Sequence, residues 1–182
     1  MYVGARDLAG KAFIGTHQFT IIVPDNPAAF SSPVKIGGNS YSMRDLGNGI
    51  KGFVIGAHNV NGRLMVKVFE ASDYQATLEY YNPKKYTKWY SSDFDTEIAK
   101  CSSSKQDTQF INDIFNAVNN YILNENKNNI SYPALGYGVN SNSWAQSVID
   151  AVGGHVRQNF SGVDWWNGGR VPGSYFLSPV TP

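Results

Sequence analysis

The sequence predicts an α+β fold in which an antiparallel β meander, or a larger sheet built on one, packs against two or more helices. Three patterns carry this expectation. Positions 13–23 alternate with period two, two Asn-Gly pairs punctuate the segments that follow, and two later stretches repeat apolar residues at helical spacing. The chain has 182 residues. A chain of that length is read as one domain, 1–182, able to bury roughly 70% of its unfolded surface, so its core needs no covalent staples.

The elements follow in order. Phe13, Gly15, His17, Phe19, Ile21 and Val23 lie on one face of the first strand, and Thr16, Gln18 and Thr20 on the other. This is the signature of a strand with one buried face. The stretch Pro24–Pro27 ends it, and a loop follows to about Gly38. Three short strands are predicted next. Ser40–Leu46 turns at Asn48-Gly49, Ile50–Ala57 turns at Asn61-Gly62, and Arg63–Glu70 carries Leu64, Val66 and Val68 on one face. Asn-Gly supplies the two positive φ angles of a type I′ hairpin turn, which matches strand twist.

Tyr74–Tyr81 fits either a strand or a helical turn, and Asp95–Cys101 a short helix before the polar break Ser102–Ser104. Gln106–Leu123 is the clearest helix, with Phe110, Ile111, Ile114, Phe115, Val118, Tyr121 and Ile122 on one stripe. Asp107 or Thr108 is its candidate cap and Asn124–Asn129 its stop. A second helix spans about Asn142–Val152, with Trp144, Val148 and Ile149 inward, and stops at Gly153-Gly154. The tail, rich in Trp and Gly, is read as wrapping the body without regular structure.

Composition narrows the function classes. With 42% hydrophobic and 16% charged residues the chain is globular, not disordered. Fifteen Lys+Arg against fourteen Asp+Glu leave a formal charge of +1, which removes the electrostatic case for a nucleic-acid partner. One cysteine, Cys101, excludes a disulfide framework and a multi-cysteine metal site. No apolar run approaches the ~20 residues that span a bilayer. The segment Met1–Lys11 has no apolar core of the secretory kind, so a cytoplasmic protein, or one exported by a specialised secretion system, is expected. No cofactor is expected.

Several motifs have bland readings. Gly47-Asn48-Gly49-Ile50-Lys51-Gly52 matches GxGxxG by letters, but a strand follows it instead of a helix, so it is read as a hairpin turn. Lys84–Tyr90 interleaves lysines with aromatics in the way of a single-strand binder, yet at near-zero net charge it is read as a solvated loop. Cys101, among serines and with no histidine near it in sequence, is read as an inert thiol. Of the three histidines, none has a partner at i+4, so no zinc site is expected. His58, beside a turn, is read as exposed, and His155 follows the Gly-Gly stop. His17 is unusual because it falls on the apolar face of its strand, where an imidazole needs partners.

Asn140-Ser141-Asn142-Ser143-Trp144 lies where a loop becomes a helix. One of the residues 140–143 caps the helix. The same place suits a nucleophile, because free N–H groups and the positive end of the helix dipole stabilise a developing oxyanion. A serine also needs a base. His17, on a sheet face against which this helix packs, is the expected one. Ser141 is the candidate nucleophile and Ser143, two residues along, its rival.

An early-strand histidine, a meander and a nucleophile opening a late helix together resemble the circularly permuted papain-like fold. That superfamily includes the NlpC/P60-like and lecithin-retinol-acyltransferase-like proteins. In the latter the nucleophile motif reads Asn-Cys-x-x-Phe, and Asn140-Ser141-Asn142-Ser143-Trp144 matches it with Ser141 in the cysteine's place. The segment 136–143, followed by Pro172-Gly173, is also similar to small bacterial effector and toxin domains. The match in motif covers five residues, the match in element order most of the chain. The superfamily takes its third, orienting residue from a following strand, which makes Tyr41, Ser42 and Glu70 candidates.

The resemblance implies a hydrolase that cleaves an amide or ester bond through an acyl-enzyme on Ser141, with His17 as base and the Ser141 N–H as one oxyanion donor. The implied substrates are a peptidoglycan peptide or a lipid ester, with an immunity protein as a further partner for an antibacterial effector. Surface aromatics and asparagines favour the cell-wall peptide. A serine where relatives carry a thiol leaves two alternatives. One is a lipid esterase or acyltransferase of the same fold. The other is a non-catalytic binding module that has lost the thiol, with Trp89, Trp165 and Trp166 as a ligand platform.

Overall fold

The computed structural model describes residues 1–8, 16–82, 96–133, 138–156 and 169–179. Two strands open the chain, β1 (Tyr2–Asp7) and β2 (Thr16–Ile22), paired antiparallel with Arg6 opposite His17 and Gly4 opposite Phe19. A small separate hairpin of β3 (Val34–Ile36) and β4 (Asn39–Tyr41) follows. The meander then runs through β5 (Arg44–Asp45), β6 (Lys51–Val60) and β7 (Arg63–Val68). After α1 (Ala71–Tyr81) come β8 (Glu97–Ser103), α2 (Asp107–Lys127), α3 (Ser141–Asp150) and β9 (Gly154–Val156). The architecture is α+β, as the periodicities predict.

The main sheet has the order β5-β6-β2-β1-β8-β9, with β7 also on β6, and every pair is antiparallel. Both Asn-Gly pairs make their predicted turns. Asn48 and Gly49 have φ of 51° and 78°, Asn61 and Gly62 of 52° and 79°. The GxGxxG-like stretch is therefore the β5–β6 turn, closed by Ile50 N–H donating to the Gly47 carbonyl at 3.0 Å.

Three expectations change and one open alternative is resolved. β2 is buried on both faces, not one, because Asp73 of α1 lies over the face of His17 while α3 packs on the face of Gln18 and Thr20. The polar pair is accommodated by bonding. Thr20 Oγ1 donates to the Ile55 carbonyl at 2.8 Å, and Gln146 of α3 donates to Gln18 Oε1 at 2.9 Å. Asp95–Cys101 does not form a helix; Glu97–Ser103 is β8, held between β1 and β9, and inter-strand bonding outweighs weak local preference. The region read as strand or helical turn, Tyr74–Tyr81, belongs to α1.

The third change is at both ends of α2. Gln106 takes the cap position without a side-chain bond, and Asp107 instead accepts the Asp25 N–H at 2.8 Å. The helix also runs beyond its predicted last residue, Leu123, and ends within the predicted polar stop, because the polar residues there have tertiary partners. Asn124 Nδ2 donates to the carbonyls of Tyr175 and Leu177 at 3.0 Å each, and Glu125 is buried against Arg63. Among the described residues no helix is long and apolar enough to cross a membrane. The basic-aromatic stretch 84–90 and the tryptophans Trp89, Trp165 and Trp166 lie outside the described residues.

Candidate active site

Three strands and a helix bring four charged or titratable side chains to one point. Alternation along β2 sends His17 to the α1 face with Phe19, whose ring stacks on it at 6.0 Å. The register β1–β2 sets Arg6 beside it, and β6 contributes His58 two residues beyond Gly56. From above, the first turn of α1 lowers Asp73 into the group.

Asp73 is the hub. Its Oδ1 accepts Arg6 Nε–H at 2.8 Å, while its Oδ2 faces His17 Nε2 at 3.1 Å and His58 Nε2 at 2.8 Å. Arg6 continues to Ser72 Oγ at 2.8 Å, which ties the strand to the start of the helix. The imidazoles lie 4.4 Å apart, centroid to centroid. Asp73 is 0% exposed, His17 4% and Arg6 6%. Gly56 makes room for them. A Cβ there would stand 2.6 Å from Asp73 Oδ2 and 3.0 Å from His58 Nε2.

Electrostatics fixes the protonation. Burial alone would raise the Asp73 carboxyl, but the charge and hydrogen bonds of His17 and His58 outweigh it and hold the group well below the carboxylate range. For His17, burial is the largest influence and lowers its pKa from 6.5; Asp73 opposes this, while His58 and Arg6 add to it. A carboxylate only accepts, so each ring presents Nε2–H to Asp73, and His17 in its neutral form keeps Nδ1 as its basic nitrogen.

The second half of the site is the start of α3. Asn140 caps it, its Oδ1 accepting Asn142 N–H at 2.9 Å and Ser143 N–H at 3.1 Å. Asn142 then reaches into the sheet. β6 pairs with β2 over Phe19–Ile22, and Asn142 bonds to the backbone on either side of His17, just before that pairing begins. There Gln18 N–H donates to Asn142 Oδ1 at 2.7 Å, and Asn142 Nδ2 donates to the Thr16 carbonyl at 2.9 Å. The side-chain amide replaces a strand peptide and clamps the helix start to the residues on either side of His17.

The expected site residues are therefore distributed as follows. Ser141 adjoins the clamp and is 3% exposed, with Oγ directed to Asn142 Oδ1 at 3.4 Å. Among the described residues no hydrogen bond joins Ser141 to His17, because the body of α3 packs on the Gln18 face and the His17 ring turns to α1. Ser143 Oγ is fully buried and bonded to the Gly138 carbonyl at 3.2 Å and Asn140 Oδ1 at 3.4 Å, the bonding of a structural cap.

None of the three candidate orienting groups meets His17. Tyr41 is on the separate hairpin, Ser42 is exposed, and Glu70 pairs with Lys67 at 3.0 Å. Asp73 holds the ring instead. His58, expected at the surface, is drawn in by Asp73, and its side chain is 14% exposed. His155 is exposed on β9. Cys101 is buried, and burial pushes its thiol up to about 12.

Sequence reasoning missed Asp73 and His58. The available signal was an acidic residue in the first turn of an amphipathic stretch and a histidine two positions from a strand glycine. No family model, curated protein or solved structure matches the chain.

Proposed function

We propose that the protein is a hydrolase of an amide or ester bond, with Ser141 as nucleophile, His17 as general base and Asp73 as the residue that orients the imidazole. The observation that carries this reading is the Asn142 clamp. By bonding Thr16 and Gln18 together, it fixes the residue beside Ser141 to the backbone that bears His17. Asp73 supplies what a serine nucleophile needs from its base, a fixed ring and a defined tautomer.

The chemistry follows from the proton positions. With Nε2–H given to Asp73, His17 Nδ1 receives the Ser141 proton as Oγ bonds to the substrate carbonyl carbon. The negative charge passes to the carbonyl oxygen. In the first turn Asn140 occupies the N–H groups of Asn142 and Ser143, so the Ser141 N–H is the donor it leaves for that oxygen. Collapse of the intermediate breaks the scissile bond, and His17 returns the proton to the leaving group. Water then repeats the sequence on the acyl-enzyme. The step requires Ser141 Oγ to leave its weak 3.4 Å contact with Asn142 and meet Nδ1 of a ring that the resting structure turns toward α1. The resemblance extends the substrate class to a cell-wall peptide or a lipid ester.

A second reading, a binding module with a relict site, is favoured by the resting direction of Ser141 Oγ, toward Asn142 and not His17. Covalent labelling with a fluorophosphonate probe, located by peptide mass spectrometry, decides between them. The hydrolase reading expects labelling at Ser141 that disappears in Ser141→Ala and falls at least tenfold in His17→Ala. Absence of labelling in folded wild-type protein, across fluorophosphonates of differing size, would overturn it.

A further inference from the structure

We propose that His17, His58 and Asp73 form a binding site for a divalent transition-metal ion, best suited to Zn2+, which when filled takes His17 out of service as a base. The metal site stands on geometry alone. Its regulatory consequence rests on the Ser141–His17 reading above.

Three observations build the site. First, the ligand atoms converge. One donor atom from each of the three side chains lies within 4.8 Å of the other two. In tetrahedral zinc with bonds near 2.0–2.1 Å, ligand atoms stand about 3.3 Å apart. The two Nε2–Oδ2 separations, 3.1 and 2.8 Å, widen by about half an ångström or less to reach that spacing. Second, the ligands come from rigid elements, two sheet strands and the first turn of a helix, and Gly56 is kept free of the side chain that would fill the space beside them. Third, the supporting bond of a metal carboxylate is already present. Arg6 holds Asp73 Oδ1, leaving Oδ2 as the single ligand oxygen.

Two imidazoles and one carboxylate are the ligand set of an open zinc site, with the fourth position left to water or an anion. An anion there would also balance the charge that Arg6 adds. Entry is from the His58 side, where the side chain is 14% exposed, since Asp73 and His17 are sealed beneath.

The consequence follows from the tautomers. Empty, each ring points Nε2–H at Asp73, and neutral His17 offers Nδ1 as the base. The ion takes the Nε2 lone pair, so each neutral ring carries its proton on Nδ1 instead. No proton need leave the pair, and nothing is oxidised or reduced. In the filled state His17 Nδ1 is a donor and has no lone pair for the Ser141 proton. The ion therefore acts as an inhibitor of the base without touching the nucleophile.

The test uses the whole protein. Co2+ and Zn2+ are titrated into wild type, His58→Gln and His155→Gln, with binding read by calorimetry and by the visible spectrum of Co2+. The expected result is one site per chain with tetrahedral cobalt absorption in wild type and His155→Gln, and at least about 100-fold weaker binding in His58→Gln. Equal binding in His58→Gln, loss of binding in His155→Gln, or no wild-type site tighter than millimolar would overturn the proposal.

Should His58→Gln fail to fold, 15N imidazole spectra of the wild type give the answer. Zn2+ must shift the ring nitrogens of His17 and His58 and leave those of His155 unchanged; any other pattern defeats the site. Fluorophosphonate labelling of Ser141 with and without Zn2+ separates the two ideas. Metal binding without labelling in either state removes the hydrolase and leaves the site. Labelling without metal binding does the reverse. With both, saturating Zn2+ is expected to slow labelling at least tenfold, and an unchanged rate would remove the regulatory step.

Discussion

Gly56 lies so close to Asp73 that the two cannot be separated by a methyl group: a Cβ on Gly56 would stand 2.6 Å from the carboxylate Oδ2. Phe19, the residue paired with Gly56 across the strand, would stand 3.2 Å from the same Cβ, so an added methyl is crowded from both sides. The absence of a side chain at one position is thus what lets α1 deliver an ionised group to two histidines.

Replacing Gly56 tests this directly. Gly56→Ala is expected to lower stability by about 1–3 kcal/mol through overpacking, although alanine is otherwise the better strand residue. Urea unfolding gives the loss, and imidazole spectra are expected to show His17 and His58 displaced. A variant as stable as wild type, with unchanged ring signals, would mean that the cluster is not packed as described.

Asn142 is expected to matter more than a cap does. Asn142→Ala strips the Gln18 N–H and the Thr16 carbonyl of their partner, both beside a buried ring. Each of the two groups costs about 1–3 kcal/mol, so a loss of about 2–6 kcal/mol is expected in chemical denaturation. Asn140→Ala removes the capping oxygen and is expected to cost about 1 kcal/mol. The reverse order of the two losses would show that the amide is not bridging the strand.

Acidification is expected to destabilise the fold from near neutrality downward. The His17 pKa is lowered from 6.5 on folding, so the unfolded chain binds its proton first as pH falls, and stability is lost from about that point down through the folded value. The Asp73 pKa is also lowered, so its contribution, complete above the unfolded carboxylate range, is lost at still lower pH. Urea midpoints are expected to fall between about pH 7.5 and about pH 5, with a shallower slope in His17→Gln. An equal slope in that variant would assign the effect to other groups.

Cys101 is expected to be silent in the folded protein. Its side chain is buried on β8, and the thiol is pushed up to about 12, far from the thiolate range at neutral pH. Thiol reagents are expected to modify it at least a hundredfold more slowly in buffer than in urea. Equal rates would expose the cysteine and reopen it as a nucleophile.

Local chemistry made much of the fold legible. The period-two run through His17 to Ile21, the two Asn-Gly turns and the stripe from Phe110 to Tyr121 each express a preference held within a few residues. They appear as β2, two I′ turns and α2. The Asn140 cap is equally local, because its acceptor serves N–H groups two and three residues ahead.

Tertiary structure decided the rest. Glu97–Ser103 is a strand because β1 and β9 flank it, and Glu125 continues α2 because Arg63 lies across from it with Nη2 2.6 Å from its carboxylate. The site divides in the same way. His17 on a buried strand face and Ser141 at a helix start could be read from the sequence alone. That Asp73, 56 residues along the chain, would hold the ring could not be. Nor could His58 joining it, or Asn142 bonding to a strand 124 residues away. Alternation and capping are set by backbone geometry within one element. The meeting of a carboxylate with two imidazoles depends on sheet register and helix placement, which only burial of the whole core determines.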